Sequence, residues 1–299
     1  MTPPLVIWLL CDGKPGHENQ SLGLADALAR RVPCDVHRIS LTGKHGLIRR
    51  LKSALADSEN FPKPDLIIAT GHATHPALIW LARKHRARSI VIMKPSLPMS
   101  WFDLCIAPSH DFPEPPQREN LLISRGALNR VAPASGEKSG QLILIGGPSG
   151  NHGWDGEKLL TALAPITATG HWQLTDSRRT PAGFPDAIRK SLPAIEIFPH
   201  QETTPDWLPR KLAAAAEAWV TEDSVSMIYE ALSSGAKVGL LPVPELGTSR
   251  VLRGIAKLVD EGFLTRFQDW EKSRTLTAPP ETLREADRCA AEVISRFNL

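Results

Sequence analysis

Short apolar runs typical of β-strands alternate with helical patterns along almost the whole chain, and this alternation constrains the fold more than any other feature of the sequence. Strands that are separated by helices form parallel βαβ units. In the first half, the predicted strands are Leu5–Cys11, Asp35–Leu41, Asp65–Thr70, Ser89–Lys94, Asp103–Ala107 and Leu121–Ser124. The predicted helices between them are Asn19–Arg31, His45–Ala56 and Thr74–His85.

The alternation stops at residues 129–140, which have the proline, serine and glycine content of a linker, and then restarts. The predicted strands of the second half are Gln141–Ile145, His171–Thr175, Ala194–Phe198, Glu217–Thr221 and Lys237–Leu241. Its predicted helices are Asp155–Ala164, Pro181–Ser191, Asp206–Ala214, Ser224–Ser234, Ser249–Val259 and Glu281–Phe297. We therefore predict an α/β fold with two Rossmann-like parallel-sheet domains, residues 1–134 and 135–299, which face each other across a cleft. The last helix is a candidate to cross back to the first domain.

The size and composition fit a soluble globular protein. A chain of 299 residues is too long for one ordinary core, and 42% hydrophobic with 22% charged residues is not the composition of a disordered chain. The apolar run Leu5–Cys11 is far shorter than the roughly 20 residues of a membrane span, and it lacks the flanks of a signal peptide. The four cysteines are scattered without a CxxC pair, which predicts no metal site and a reducing, cytoplasmic location.

The charge differs between the two halves. Residues 1–134 contain 17 Lys and Arg against 11 Asp and Glu, net +6, whereas residues 135–299 have a net charge of −3. A basic first half favours a weak peripheral contact with the anionic surface of the inner membrane. The segment Leu47–Lys52 is a candidate for that contact, with an ordinary surface helix as the alternative. The sequence lacks a stripe in which cations alternate with aromatic residues, so it does not predict nucleic acid as a partner.

The loops that follow strands are the candidate ligand sites, because ligands bind at the carboxyl ends of strands in open parallel sheets. The first such loop contains Gly13, Lys14 and Gly16, and its glycines let the backbone approach a ligand. It matches neither the Walker A nor the GxGxxG pattern, so ATP hydrolysis and NAD binding lose their usual support. His17 is a candidate general base, and Glu18 is a candidate to orient or replace it. The alternative is a turn with a solvated histidine.

Two further loops of the first half carry histidines. His72 and His75 follow the predicted strand that ends at Thr70, and either could face the site. The other loop places His110 beside Asp111, which makes them a candidate catalytic pair by sequence alone.

Two loops of the second half suit phosphate. Gly146, Gly147 and Ser149 follow its first predicted strand, where successive backbone N–H groups can form an anion nest. Arg178 and Arg179 follow its second predicted strand, and a guanidinium binds phosphate through two parallel hydrogen bonds. Solvated surface arginines are the alternative.

The helix predicted over Ser224–Ser234 carries a polar face. Asp223, Ser226 and Glu230 share the i, i+3, i+7 spacing, away from the apolar stripe. Because the N-terminus of a helix binds anions, Ser224 and Ser226 suit phosphate, and Glu230 suits ribose hydroxyls one turn deeper. The alternative is that Asp223 caps the helix and Glu230 is solvated.

These motifs together resemble a known family. Gly13–Leu24, Ser177–Pro181 and Thr221–Met227 are similar to signatures of bacterial relatives of the plant "elongated mitochondria" fission protein. Ser226–Ala231, with Gly235 after it, resembles the donor-site helix of the lipid-linked N-acetylglucosamine transferase of peptidoglycan synthesis. That likeness implies a glycosyltransferase-B fold and transfer without a metal ion. It implies an acceptor bound by the first domain and a nucleotide sugar bound by the second.

The same likeness implies roles for single residues. Glu230 is expected to hold the nucleotide ribose, with Met227 on the same donor helix. The early Gly-Gly-His loop of the transferase looks like Gly16 and His17, which supports His17 at the acceptor side.

The resulting hypothesis is transfer of a sugar from a nucleoside-diphosphate sugar to an unknown acceptor, with no cofactor. His17 or Glu18 would deprotonate the acceptor. The acceptor-side residues are Gly13, Lys14, Gly16 and His72, and the donor-side residues are Gly146, Gly147, Ser149, Arg178, Arg179, Ser224, Ser226, Met227 and Glu230. One alternative is a nucleotide-sugar epimerase of the same fold, with Glu18 and Asp111 at the sugar. Another is a non-catalytic adaptor of the fission-like family.

Overall fold

The chain forms two compact units, each with its own core. The computed structural model describes residues 3–42, 56–112, 114–132, 136–247 and 250–299. The first unit comprises Met1–Arg130 and Arg284–Leu299, and the second comprises Val131–Leu283. The last helix of the chain therefore belongs to the first unit.

Each unit contains a parallel sheet of six described strands. The first sheet consists of β1 (Leu5–Cys11), β2 (Cys34–Ser40), β3 (Leu66–Thr70), β4 (Arg88–Ile92), β5 (Leu104–Pro108) and β6 (Leu121–Ser124), in the order β2-β1-β3-β4-β5-β6. The second consists of β7 (Gly140–Leu144), β8 (Trp172–Thr175), β9 (Glu196–Phe198), β10 (Ala215–Thr221), β11 (Lys237–Leu241) and β12 (Leu264–Arg266), in the order β12-β11-β10-β7-β8-β9. The predicted α/β fold with two parallel sheets is confirmed.

Helices connect most of the strands. The described α-helices are α1 (Pro15–Ala29), α2 (His75–His85), α3 (Gly156–Thr167), α4 (Phe184–Ser191), α5 (Trp207–Ala214), α6 (Val225–Ser234), α7 (Arg250–Asp260), α8 (Phe267–Ser273) and α9 (Glu285–Phe297). The predicted helix His45–Ala56 lies outside the described residues except for its last position, and so does the basic segment Leu47–Lys52.

Both faces of the first sheet are covered by helices. In β1, Ile7 and Leu9 belong to a core shared with α1 and α9, whereas Trp8 and Leu10 belong to a core shared with α2. All four side chains are at most 2% exposed. A strand that is buried on both faces is a continuous apolar run rather than an alternating one, which explains why β1 could be located from sequence.

The last helix, α9, is anchored to the first unit by apolar packing and by a buried carboxylate. Cys289, Ala290 and Val293 are fully buried in the core that contains α1. Glu285 accepts a hydrogen bond from the backbone N–H of Arg125 at 2.8 Å and two from the guanidinium of Arg288.

Each sheet has a point where the chain reverses the direction in which strands are added. The first sheet adds β2 on one side of β1 and β3 to β6 on the other. The second adds β8 and β9 on one side of β7 and β10 to β12 on the other. The switch points therefore lie between β1 and β3 and between β7 and β10. Ligands of open α/β sheets bind outside the carboxyl ends of the strands at such points.

Three differences from the predicted elements affect the site or the core. α1 begins at Pro15 rather than at Asn19, because proline is favourable in the first turn of a helix, where its missing N–H is not needed. The helix predicted from Pro181 begins at Phe184. The short elements β12 and α8 were not predicted, and α8 contributes Trp270 to the core of the second unit.

Candidate functional site

A histidine held by a carboxylate lies at the switch point of the first sheet. Asp12 directly follows β1, and His17 lies in the first turn of α1 rather than in the predicted loop. Asp12 Oδ2 is 2.8 Å from His17 Nδ1, and the two side chains are 5% and 21% exposed. When Nδ1–H donates to the carboxylate, the neutral ring keeps its lone pair at Nε2. This arrangement prepares an imidazole to accept a proton from a ligand.

At the β3 side of this switch point, a residue without a side chain leaves room for the His17 imidazole. Gly71 follows β3 with φ +91°, and a Cβ there would lie 2.4 Å from His17 Nδ1. Close by, Ser21 Oγ of α1 and Thr70 Oγ1 of β3 are hydrogen-bonded at 2.8 Å. The ends of β1 and β3 and the start of α1 therefore fix the ring together.

Glu18 does not orient His17, contrary to one of our expectations. Its carboxylate accepts a hydrogen bond from the backbone N–H of Gly13 at 3.2 Å and forms an ion pair with Arg38 of β2. Asp12 has the orienting role instead, because its carboxylate lies on the Nδ1 side of the ring. A carboxylate that is neutralised by a guanidinium is poorly suited to remove a proton, so His17 is the better candidate base.

The glycines and the lysine of this loop shape its backbone. Gly13 has φ +81°, and a Cβ there would lie 2.2 Å from Thr42 Cγ2. The backbone N–H of Lys14 donates to Asp12 Oδ1 at 3.1 Å, while its side chain is exposed. Gly16 is exposed in the first turn of α1.

The two histidines after β3 differ in environment. His75 is 2% exposed, and burial lowers its pKa from 6.5 to about 4, with a smaller contribution from His72. Its Nδ1 is 3.3 Å from Ser96 Oγ. His72 is exposed, so it is the one of the two that can contact a ligand.

In the second unit, Gly146 and Gly147 do not form the expected anion nest. The N–H of Gly146 donates to Thr221 Oγ1 at 2.7 Å, and the N–H of Gly147 donates to Asp223 Oδ2 at 3.0 Å. A Cβ on Gly146 would lie 2.2 Å from Asp223 Oδ2, and one on Gly147 would lie 2.1 Å from the carbonyl oxygen of Arg179. The glycines are needed because the loops after β7, β8 and β10 are in direct contact.

Asp223 and Arg179 form an ion pair at the centre of these contacts. Asp223 precedes α6 and its side chain is fully buried, so it does not share an exposed helix face with Ser226 and Glu230 as expected. Its Oδ2 is 2.6 Å from Arg179 Nη2. Arg179 Nη1 also donates to the carbonyl oxygens of Gly147 at 2.5 Å and Pro148 at 3.1 Å.

The two adjacent arginines therefore have different roles. The Arg179 side chain is 40% exposed, and three of its five N–H donors are used within the protein. Arg178 is exposed and donates no hydrogen bond to any residue in the described part of the chain. Arg178 is the guanidinium that is available to a ligand, and Arg179 is held in place beside it.

Ser149 organises the remainder of the loop after β7. Its Oγ accepts hydrogen bonds from the N–H groups of Asn151 at 3.3 Å and His152 at 3.2 Å, and its own N–H donates to the carbonyl of His152 at 2.8 Å. His152 is 2% exposed, and burial lowers its pKa. Ser149 therefore stabilises a turn, and direct contact of its hydroxyl with an anion stays a prediction.

The N-terminus of α6 lies at the second switch point, at the carboxyl end of β10. The N–H groups of Val225, Ser226 and Met227 open the helix, and no carbonyl among the described residues accepts from them. Such N–H groups, with the positive end of the helix dipole, favour a bound anion. Ser224 is buried before the helix, Ser226 is exposed, and Glu230 is half-buried farther along α6.

The described part of the chain contains neither a group of metal ligands nor a membrane-spanning helix. Across the described ranges, no three His, Cys, Asp or Glu side chains are grouped to hold a metal ion. No described helix combines the length and apolarity that crossing a bilayer requires.

The family of the chain follows from its sequence. A family model described as mitochondrial fission ELM1 matches residues 15–297. The chain belongs to the mitochondrial fission ELM1 family. Mitochondrial fission protein ELM1 of Arabidopsis thaliana is 27% identical over 283 residues, which cover 78% of this chain but only 65% of the plant protein. The chain thus spans less than two thirds of that relative, and the resemblance inferred from the motifs is confirmed.

Solved structures share the fold of this ELM1-family chain at low sequence identity. UDP-GlcNAc 2-epimerase of Neisseria meningitidis bound to UDP-GlcNAc has a TM-score of 0.56 and 12% identity, with 98% of this chain and 100% of the other covered. MurG of Acinetobacter baumannii has a TM-score of 0.55 and 12% identity, with 99% of each chain covered. Spinosyn forosaminyltransferase SpnP has a TM-score of 0.56 and 14% identity, again with 99% of each covered. The fold is that of glycosyltransferase-B enzymes and these epimerases.

Sequence reasoning missed the two carboxylates that organise this ELM1-family site. The sequence pattern does not single out Asp12, and it places Asp223 on the polar face of a helix, with a helix cap as the alternative. Each lies within two residues of the end of a strand at a switch point, with a glycine at the end of the neighbouring strand. That combination of position and neighbour is a signal that could have identified them.

Proposed function

We propose that this ELM1-family protein transfers a sugar from a nucleoside-diphosphate sugar to an unknown acceptor without a metal ion. The observation that carries the proposal is the Asp12–His17 pair at the first switch point. A protein that only recruits a partner does not need an imidazole fixed by a buried carboxylate. The shared fold supports the same class of ligand, since one solved neighbour holds UDP-GlcNAc.

In this proposal His17 acts as the general base. Its Nε2 accepts the proton of an acceptor hydroxyl while that oxygen bonds to the anomeric carbon of the sugar. The bond from the anomeric carbon to the terminal phosphate oxygen breaks, and its electron pair leaves with the nucleoside diphosphate. During the transfer, Asp12 accepts a hydrogen bond from Nδ1–H of His17 and stabilises the imidazolium that forms. Gly13, Lys14, Gly16 and His72 would line the acceptor side.

The leaving diphosphate gains charge in the transition state, so preorganised donors lower the barrier. The N–H groups that open α6, the hydroxyl of Ser226 and the exposed guanidinium of Arg178 are suited to this role. Arg179, held by Asp223, has donors left to add to them. Gly146, Gly147 and Ser149 contribute by shaping the loop, and Glu230 would accept hydrogen bonds from the ribose hydroxyls.

Binding and transfer test this proposal separately. Calorimetry should detect binding of nucleoside diphosphates in the presence of a chelator. With UDP-GlcNAc as donor and a cell extract as the source of acceptor, release of nucleoside diphosphate should fall about 10²–10⁴-fold in His17→Ala, the range of general-base catalysis. The control is His171→Ala, which changes a histidine whose side chain is 79% exposed. Folded protein that binds no nucleoside diphosphate would refute the proposal.

An epimerase is the second candidate, because a UDP-GlcNAc 2-epimerase is among the solved neighbours. An epimerase converts the nucleotide sugar without any acceptor, so incubation with donor alone separates the two reactions. Of the expected carboxylates, Glu18 is paired with Arg38, and Asp111 follows β5, two strands beyond β3 in the sheet. These positions make the transferase the better-supported reading.

A non-catalytic adaptor is the third candidate, because the plant relative carries the name of a fission protein. In that case His17→Ala and Glu230→Ala would leave the cellular phenotype unchanged.

We also propose a weak peripheral contact of the first unit with the inner membrane. Trp80 and Trp101 are 36% and 50% exposed, and Arg83, Arg86 and Trp101 line a cavity of about 540 Å³. Indole rings and cations together favour the headgroup region of an anionic membrane. Sedimentation with vesicles containing phosphatidylglycerol should exceed that with phosphatidylcholine alone and decrease with salt.

A further inference from the structure

A second carboxylate–histidine pair lies at the carboxyl edge of the second sheet. Asp176 directly follows β8, and His200 follows β9 after one residue. Asp176 Oδ1 accepts a hydrogen bond from the backbone N–H of His200 at 2.7 Å and is 2.9 Å from its Nδ1. The side chains of Asp176 and His200 are 12% and 26% exposed. The imidazole is therefore fixed at two points, and no residue in the described part of the chain contacts its Nε2 through a hydrogen bond.

The fixed imidazole of His200 presents its Nε2 atom to a ligand as a hydrogen-bonding group. Because Nδ1–H donates its hydrogen bond to the carboxylate, the neutral imidazole presents the lone pair of Nε2. Such an acceptor is satisfied by an N–H or O–H donor of a ligand. A ligand that presents another acceptor at the same point leaves both groups unpaired and is rejected.

The turn over residues 176–180 connects this pair to the proposed donor site. Within it, Thr180 Oγ1 donates to the carbonyl of Gly146 at 2.5 Å, and the Arg179 guanidinium donates to the carbonyl of Gly147 at 2.5 Å. The carboxyl ends of β7 and β9 are two strand spacings apart, about 10 Å. A nucleoside that is attached to phosphates at the second switch point can span this distance, whereas a phosphate group alone cannot.

Two aromatic residues flank His200 in the sequence, Phe198 at the end of β9 and Trp207 at the start of α5. The rings of Phe198 and Trp207 are 5.0 Å apart between centroids. Lys211 Nζ lies 5.3 Å and 5.7 Å from the two ring centroids. Ligand sites that combine aromatic walls with one placed polar group fix the orientation of a planar ligand.

We infer that His200, positioned by Asp176, selects the nucleobase of the donor and prefers uracil to cytosine. The inference rests on the proposed function and deepens it by assigning the base. Uracil carries an N–H at ring position 3, which can donate to Nε2. Cytosine is a pyrimidine of the same size, but its ring position 3 carries a lone pair. That lone pair and the lone pair of His200 Nε2 are both acceptors, so no hydrogen bond forms between them.

Competition between UDP and CDP tests the inference on the full chain. We expect UDP to bind at least about tenfold more tightly than CDP, the lower part of the range for a buried hydrogen bond that is left unpaired. In His200→Gln, the side-chain amide offers both a donor and an acceptor, so the ratio should fall to near one. Asp176→Ala should also lower the ratio, although His200 is retained, because the ring is no longer fixed. His171→Gln, an exposed histidine of the same unit, should leave the ratio unchanged.

Each outcome bears on the inference. A wild-type preference for UDP that disappears in His200→Gln, with folding verified by circular dichroism, supports it. Equal affinity of the wild type for UDP and CDP overturns it, and so does a His200→Gln variant that keeps the preference. In both of these cases binding of nucleoside diphosphates persists and the proposed function stands. A wild type that binds neither nucleotide overturns the proposed function and the inference together.

Discussion

Two of the glycines in the loop after β7, Gly147 and Gly150, differ in their surroundings, and this difference predicts the effect of adding one methyl group. In Gly147→Ala the new Cβ would lie 2.1 Å from the carbonyl oxygen of Arg179, although real Cβ contacts essentially never fall below 3.0 Å. The carbonyl must move by about 1 Å, and the hydrogen bonds of Thr180 and Arg179 to this loop resist that movement. Such overpacking costs about 1–3 kcal/mol. Gly150→Ala adds the same methyl group where nothing lies within 4 Å.

Differential scanning calorimetry measures the consequence. Each kcal/mol lowers the Tm of a domain of this size by about 2–4 °C, so a cost of about 1–3 kcal/mol should lower the transition of the second unit by about 2–12 °C in Gly147→Ala. The Gly150→Ala control should remain within about 0.5 kcal/mol of the wild type. If Gly147→Ala melts at the temperature of its control, the loops after β7 and β8 are not in the contact described here, and the explanation of the glycines is wrong.

Two further predictions concern buried ionisable groups of the first unit. The folded-state pKa of His75 is lowered to about 4, so its contribution to stability is present above pH 6.5 and is lost as the pH falls from 6.5 towards 4. Urea titrations should show the wild type losing about 3 kcal/mol more than His75→Gln across that interval, whereas equal losses would contradict the burial of the ring. Glu285→Gln weakens the charged hydrogen bonds of a carboxylate that is 8% exposed, and should cost about 1–3 kcal/mol with faster amide exchange in α9. Glu292→Gln breaks an exposed pair with Arg296 and should cost less than about 1 kcal/mol, so similar losses for the two variants would exclude this anchoring.

The sequence was sufficient to locate most strands because parallel strands covered on both faces are continuous apolar runs. β1, β6 and β11 have the predicted bounds. Short elements were missed because three residues, as in β12, contain too little periodicity to be distinguished from a loop. The start of α1 was misplaced because Pro15 and Gly16 are typical of turns, although proline is equally compatible with the first turn of a helix.

The candidate site was only partly predictable for a different reason. Its residue types could be named, since His17 and Arg178 follow strands in the sequence. The partners of the charged groups depend on which strands become neighbours. Asp223 and Gly147 are 76 residues apart in the sequence, and they are in contact only because β10 lies beside β7 in the sheet. The Gly-Gly sequence was interpreted as a source of free N–H groups, whereas the fold uses these groups to hold a buried carboxylate.

At both switch points, a carboxylate holds a basic or cationic side chain in a fixed position. In the first, the carboxylate of Asp12 holds the ring of His17 against Gly71, and in the second, the carboxylate of Asp223 holds Arg179 against Gly147. In each case a nearly or fully buried anion fixes a cationic or basic side chain, and a glycine on a neighbouring strand end provides the space. The rotamer freedom of the held side chains is lost during folding rather than on binding, so a ligand meets groups that are already ordered. For this reason, substitutions of the two carboxylates should reduce folding stability as well as ligand affinity. In the proposed function, removal of the exposed Arg178 should lower ligand affinity without lowering folding stability.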